Sequence, residues 1–164
     1  MARILVGLLV MLTLAACDGP IGSGSDGQRI YWIRDADTGT VQYRMLDSIN
    51  ALRAAAGATP VQLSSELNAS SATHARDMSV QNRPWHFGSN GSSPIDRARQ
   101  AGYPGAFLGE AISETYETEL ETLAAWMERS DTRDIILDRR ARAIGFSWFQ
   151  ERSGKLWYVL DVGG

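Results

Sequence analysis

The sequence predicts an α+β sandwich, and three observations carry that prediction. Apolar residues recur at three- and four-residue steps through the middle of the chain, between Met45 and Leu137. Aromatic and β-branched runs stand at the two ends, around Ile30–Tyr43 and again over Ala143–Gln150 and Leu156–Val162. The 164 residues, 44% hydrophobic and 21% charged, suit one ordinary globular core and not two.

Ahead of the folded part, Arg3 is the only charge before the apolar run Ile4–Ala16. A cationic start, a short apolar run and small residues have the layout of a secretory signal peptide. The run falls short of the ~20 residues that span a bilayer as a helix. Leu14-Ala15-Ala16-Cys17 resembles the lipobox of bacterial secreted lipoproteins. That resemblance implies removal of residues 1–16 and diacylation of Cys17, which makes the membrane a partner. Two or three acyl chains anchor stably where one is marginal. The alternative is an ordinary signal peptide followed by an incidental cysteine. Residues 17–28, rich in Gly and Ser, read as a flexible tether, and 29–164 as the domain. The expected location is across the bacterial inner membrane, lipid-anchored, facing the periplasm or the cell exterior.

Within the domain, Ile30–Ile33 and Val41–Tyr43 around Asp37-Thr38-Gly39 read as a hairpin or an edge strand with a return. Met45, Ile49, Leu52 and Ala56 make one stripe of a helix over Met45–Ala58, with Asn50 and Arg53 on the other side and Gly57 as its stop. A second helix is expected over Val61–Val80, where Ser64 can cap and Leu67, Ser71, His74 and Met78 form an inward stripe. Asn82–Gly91 is a loop carrying Trp85-His86-Phe87, whose aromatics can shield the imidazole from water. Ser93-Pro94-Ile95-Asp96 starts a short helix that Gly102 ends. Tyr103–Gly109 is a loop delivering Glu110, and Ala111-Ile112 begins a strand or a buried turn. Thr118 to Glu121 is a capping box opening a helix through Trp126, and Asp131 caps another over Asp131–Leu137. Two strands joined at Glu151–Lys155 close the chain.

Charge and cysteine content exclude several roles. Sixteen cations against nineteen acids give a net charge of −3, with Lys155 the sole lysine. No cluster of cations marks a nucleic-acid reader. Cys17 is the single cysteine, so no intramolecular disulfide forms. The candidate site is centred on His86, one of two histidines, and Glu110. His74 lies on an apolar stripe and reads as a hydrogen-bonded core histidine.

A succession of residues then resembles one family. Gly57-x-x-Pro60-Val61, His74-Ala75-x-Asp77-Met78, His86, Gly91-x-Ser93, Asp96-Arg97, Gly102-Tyr103, Gly109-Glu110, Trp126, Arg133-x-x-Ile136-Leu137 and Ile144-Gly145 follow in that order. The pattern is similar to the CAP superfamily of cysteine-rich secretory proteins, antigen 5 and pathogenesis-related 1 proteins, also called SCP domains. The resemblance implies a three-layer α-β-α sandwich around a mostly antiparallel sheet, and a cavity of two histidines and two acids that holds a divalent cation in many members. Here His86 matches the first histidine and Glu110 the first acid, with Ala111 in place of the following Asn. Thr132 stands where the second histidine belongs, and Arg129 where the second acid belongs, with Glu128 one step away. A one-residue shift on a helix turns a side chain by about 100°, so Glu128 substitutes poorly. His86, Glu110, Thr132 and Glu128 are therefore the expected cavity residues. No catalytic residue and no metal ligand set is assigned, and zinc is disfavoured.

Three functions fit these residues. The first is a lipid-anchored, monomeric, non-enzymatic binding module for a small apolar ligand, a glycan or an envelope protein. The second is a hydrolase in which Glu110 orients His86 as base, with Ser92, Ser93 or Thr132 as nucleophile. The third is a structural lipoprotein with a vestigial cavity.

Overall fold

The computed structural model describes residues 21–23 and 29–164. The expected signal peptide and the lipidated Cys17 lie outside the described residues. Within the stretch read as tether, Ile21–Ser23 (β1) forms an antiparallel pair with Arg29–Tyr31 (β2), Ile21 opposite Tyr31. No helix among the described residues is long and apolar enough to cross a membrane.

The predicted opening hairpin is corrected. After β2 the chain makes a 3-10 turn at Asp35–Asp37 and enters a helix, α1, over Thr38–Ala55. Val41 therefore belongs to the stripe continued by Met45 and Ile49, all buried. The four-residue steps 41, 45 and 49 outrank the local β propensity of Val41-Gln42-Tyr43. Arg53 is also corrected, since it is fully buried rather than on the polar side. Its guanidinium donates to the carbonyls of Thr59, Ile136, Asp138 and Ala141. Burial of that cation lowers its pKa, and a fork of donors matched to four carbonyls compensates the lost water.

Val61 is not helical. It exchanges two hydrogen bonds with the Asn50 side chain and leads into β3, Gln62–Leu63. The second helix, α2, runs Ser65–Gln81, capped by Ser64 and stopped at Asn82 in the left-handed region (φ 48°). Pro94–Gln100 (α3) starts with a complete capping box between Ser93 and Asp96. Phe107–Thr115 (β4) is a longer strand than Ala111-Ile112 suggests. Thr118 and Glu121 box the start of α4, Glu119–Glu128. Ser130–Ile136 (α5) begins one residue before the expected cap Asp131, which instead pairs with Arg129 at 2.6 Å. Ala143–Gln150 (β5) and Leu156–Gly163 (β6) are the predicted closing hairpin, with Gly154 at φ 90° in its turn.

The four-stranded sheet has the order β3-β5-β6-β4, antiparallel apart from the short β3–β5 pair. Strand alternation divides β6 between two cores. Leu156, Tyr158, Leu160 and Val162 join Val41, Met45, Ile49, Leu123, Trp126 and Phe146 on the α1/α4 side. Trp157 and Val159 pack with Ala75 and Met78 of α2 on the other side. The result is the three-layer α-β-α sandwich. The α2 backbone lies directly on the sheet at Gly145, where an added Cβ would come within 2.1 Å of Leu67.

Candidate functional site

The site forms where the α2–α3 loop meets edge strand β4 on the α2 side of the sheet. His86 Nδ1 lies 2.8 Å from Glu110 Oε1, and Arg97 Nη2 donates to Glu110 Oε2 at 2.6 Å. The Glu110 and Arg97 side chains are buried, whereas that of His86 is 50% exposed. A carboxylate with a guanidinium on one oxygen only accepts, which assigns the hydrogen to Nδ1 of His86 and leaves Nε2 toward solvent. Arg97 also donates through Nη1 to the carbonyls of His86 (3.0 Å) and Ser92 (3.1 Å). One buried cation thus ties the loop to the helix that follows it and to the strand.

Trp85 and Phe87 do not flank the imidazole as expected. Their rings pack on each other at 5.6 Å, Arg83 lies over Trp85, and His86 is left half exposed. The Trp85 carbonyl faces inward and meets His74 Nε2 at 2.8 Å. A carbonyl only accepts, so this nitrogen carries hydrogen and neutral His74 has a bare Nδ1, which is buried without a partner. Burial lowers the His74 pKa, against the opposing charge of Glu110, whose Oε1 stands 3.7 Å away. The core reading of His74 thus describes its burial but not its place beside Glu110.

Thr132 and Glu128 are not joined to the pair. The Thr132 hydroxyl donates to the carbonyls of Trp126 and Arg129, and Glu128 is exposed on α4. Among the described residues no hydrogen bond or ion pair links either to His86 or Glu110. Asp161 is a site neighbour that the sequence reading passed over. It pairs in register with Glu110 across β4–β6, is fully buried, and has no hydrogen bond to either oxygen among the described residues. Burial first, and the charge of Glu110 second, hold its carboxyl well above the usual range. The Ser70 and Ser71 hydroxyls beside it temper that rise, although Ser71 Oγ donates to the Gly145 carbonyl at 3.1 Å. Its sequence signal was an acid on the 157-159-161 face of an otherwise apolar strand.

The donor set does not fit a divalent cation. Both Glu110 oxygens are engaged, one by a guanidinium, and His74 Nε2 is turned to a carbonyl. Among the described residues no group of three or more His, Cys, Asp or Glu side chains is arranged to hold a metal. Among the described residues the nitrogens left free are His86 Nε2 and the buried His74 Nδ1, and these two without a free carboxylate oxygen do not make a zinc site.

Comparison with known proteins agrees with this architecture. The cysteine-rich secretory protein (CAP) family matches residues 46–162. The uncharacterized protein YkwD of Bacillus subtilis is 28% identical over 120 residues, which cover 73% of this chain and 46% of that relative. The chain therefore spans less than half of that relative's length. An extracellular SCP-domain protein of Bacillus anthracis superposes with a TM-score of 0.70 at 15% identity, over 83% of this chain and 45% of that one. An outer surface protein of Borrelia burgdorferi superposes at 0.66 and 16% identity, over 77% and 94%. With the family match spanning most of the chain, and the layers and strand order in place, this protein belongs to the cysteine-rich secretory protein (CAP) family.

Proposed function

We propose that the chain is an extracytoplasmic binding module, anchored through lipid on Cys17, that captures a small apolar molecule, a glycan or an envelope protein without transforming it. The observation that carries this reading is the closure of Glu110. Both its oxygens hold protein groups, so it fixes the His86 loop to β4. Location outside the cytoplasm is supported by the signal-like start and by two structural relatives, one an extracellular protein and one an outer surface protein. A groove of about 400 Å³ between α1 and α4, lined by Ala51, Leu52, Leu120, Leu123 and Met127, has the size of a small-molecule site and suits the apolar class.

The hydrolase alternative needs a hydroxyl on His86, and none is bonded to it among the described residues. A base needs a hydroxyl within roughly 3 Å of the nitrogen that takes its proton. No Ser or Thr oxygen bonds His86 among the described residues, Ser93 Oγ caps α3, and Thr132 Oγ1 serves two carbonyls. The deciding experiment is turnover of ester and peptide substrates by the processed chain and by His86→Ala. Both are expected at background, and hydrolysis that disappears in His86→Ala would sink the reading. Cys17→Ser is expected to move the protein from the membrane to the soluble fraction.

A further inference from the structure

We propose that the cleft between α2 and the 88–92 loop binds a sugar ring. This rests on the binding-module reading and names a ligand class for it. The cleft holds about 310 Å³, at the small end for ligand sites and enough for one ring.

Its wall is set before a ligand arrives. Gly88 N donates to the Ser92 carbonyl (2.9 Å), Ser89 N to Asp77 Oδ2 (2.6 Å) and Ser92 N to Asn90 Oδ1 (3.0 Å). Gly91 makes the turn at φ 81°, and an added Cβ on Gly88 would meet Ser92 Oγ at 2.5 Å and Asn90 Oδ1 at 2.9 Å. A methyl group at Gly88 would therefore displace the Ser92 and Asn90 side chains that form the wall.

The groups left over decide the ligand. Asp77, Asn90, Ser92 and Gln100 line the cleft, and Asp77 Oδ1, the Asn90 amide nitrogen, the Ser92 hydroxyl and the Gln100 amide make no hydrogen bond among the described residues. Arg76 stands on the same wall with its guanidinium 4.8 Å from the Phe149 ring centre. An anion would meet Asp77, and a cation would meet Arg76 and Arg97. An apolar ligand would cover the Val80 and Thr73 surface that also lines the cleft, but it would strip water from these polar groups and return no hydrogen bond. A hydroxyl both donates and accepts, so hydroxyls on a ring satisfy the carboxylate and the amides of this lining while the C–H face of the ring covers its apolar part. Arg97, which also lines the cleft, holds Glu110 and the His86 carbonyl and so joins the cleft to the His86 loop.

The test is a titration of the isotope-labelled, processed chain with N-acetylglucosamine trimer and with maltotriose, followed at the amides of Ser89, Asn90 and Ser92. Saturable shifts are expected with at least one sugar, weakened roughly ten-fold or more in Gln100→Ala and in Arg76→Ala. Both positions are exposed, so the fold is retained. Absence of a saturable shift up to roughly 50 mM of either sugar overturns the proposal. So does a response that both substitutions leave unchanged. A failure here with hydrolysis still absent removes the sugar site alone, whereas His86-dependent hydrolysis removes the binding-module reading itself.

Discussion

Asp161 shows at the scale of one residue how a buried group writes itself into stability. Its raised folded pKa means that the native state keeps a proton the unfolded chain has released. The native state then binds more protons, so stability falls as pH rises above the ordinary value of 3.8, by up to about 1.4 kcal/mol per pH unit. His74 acts in the opposite sense. Its lowered folded pKa gives stability that is full above 6.5 and lost as pH falls below it. Asp161→Asn is expected to stabilise the domain by an amount that grows with pH from about 3.8 upward, read from urea unfolding across a pH series. A difference that stays constant with pH would mean Asp161 is ionised in the fold. Arg97→Ala leaves Glu110 buried without its cation and is expected to cost about 3–5 kcal/mol in the same measurement. The meeting of His86 and Glu110 was legible in the sequence, as a histidine loop and a Gly-Glu step. Arg97 and Asp161 were harder to find, because their roles depend on which face a short helix and a central strand present.

Elements were legible where they carry their own punctuation. Ser93/Asp96 and Thr118/Glu121 are boxed helix starts in the structure, as their spacing indicates. Thr118→Ala is expected to lower stability by about 1 kcal/mol, seen as a drop in denaturant midpoint. The first turns of α1 were hidden by a β-like composition, and only packing of Val41 beside Met45 selects the helix. The length of β4 was hidden too. Its pairing with β6 from Phe107 to Thr115 is a long-range contact without a local signal. Gly145 sets the spacing of α2 on β5, and Gly145→Ala drives a methyl group into the Leu67–Asn68 backbone. Overpacking of this kind costs typically about 1–3 kcal/mol, so a thermal melt should show a clear fall in Tm.

At the scale of the whole molecule, the sheet separates two surfaces of different chemistry. The large apolar core and the α1/α4 groove lie on one side, and the Arg97–Glu110–His86 bridge with its polar cleft on the other. The layered class follows from periodic helices between terminal strands, whereas the partners of Thr132 and the exposure of Glu128 do not. Those partners need the α4–α5 junction, where Arg129 turns extended and the Thr132 hydroxyl closes on Trp126. Glu110 bridges the His86 loop to Arg97 with both carboxylate oxygens engaged. The most direct measurement is therefore calorimetric titration of the processed chain with zinc. The account predicts no saturable heat. Micromolar binding that vanishes in His86→Ala would contradict it, because zinc could bind there only if Glu110 were released from Arg97.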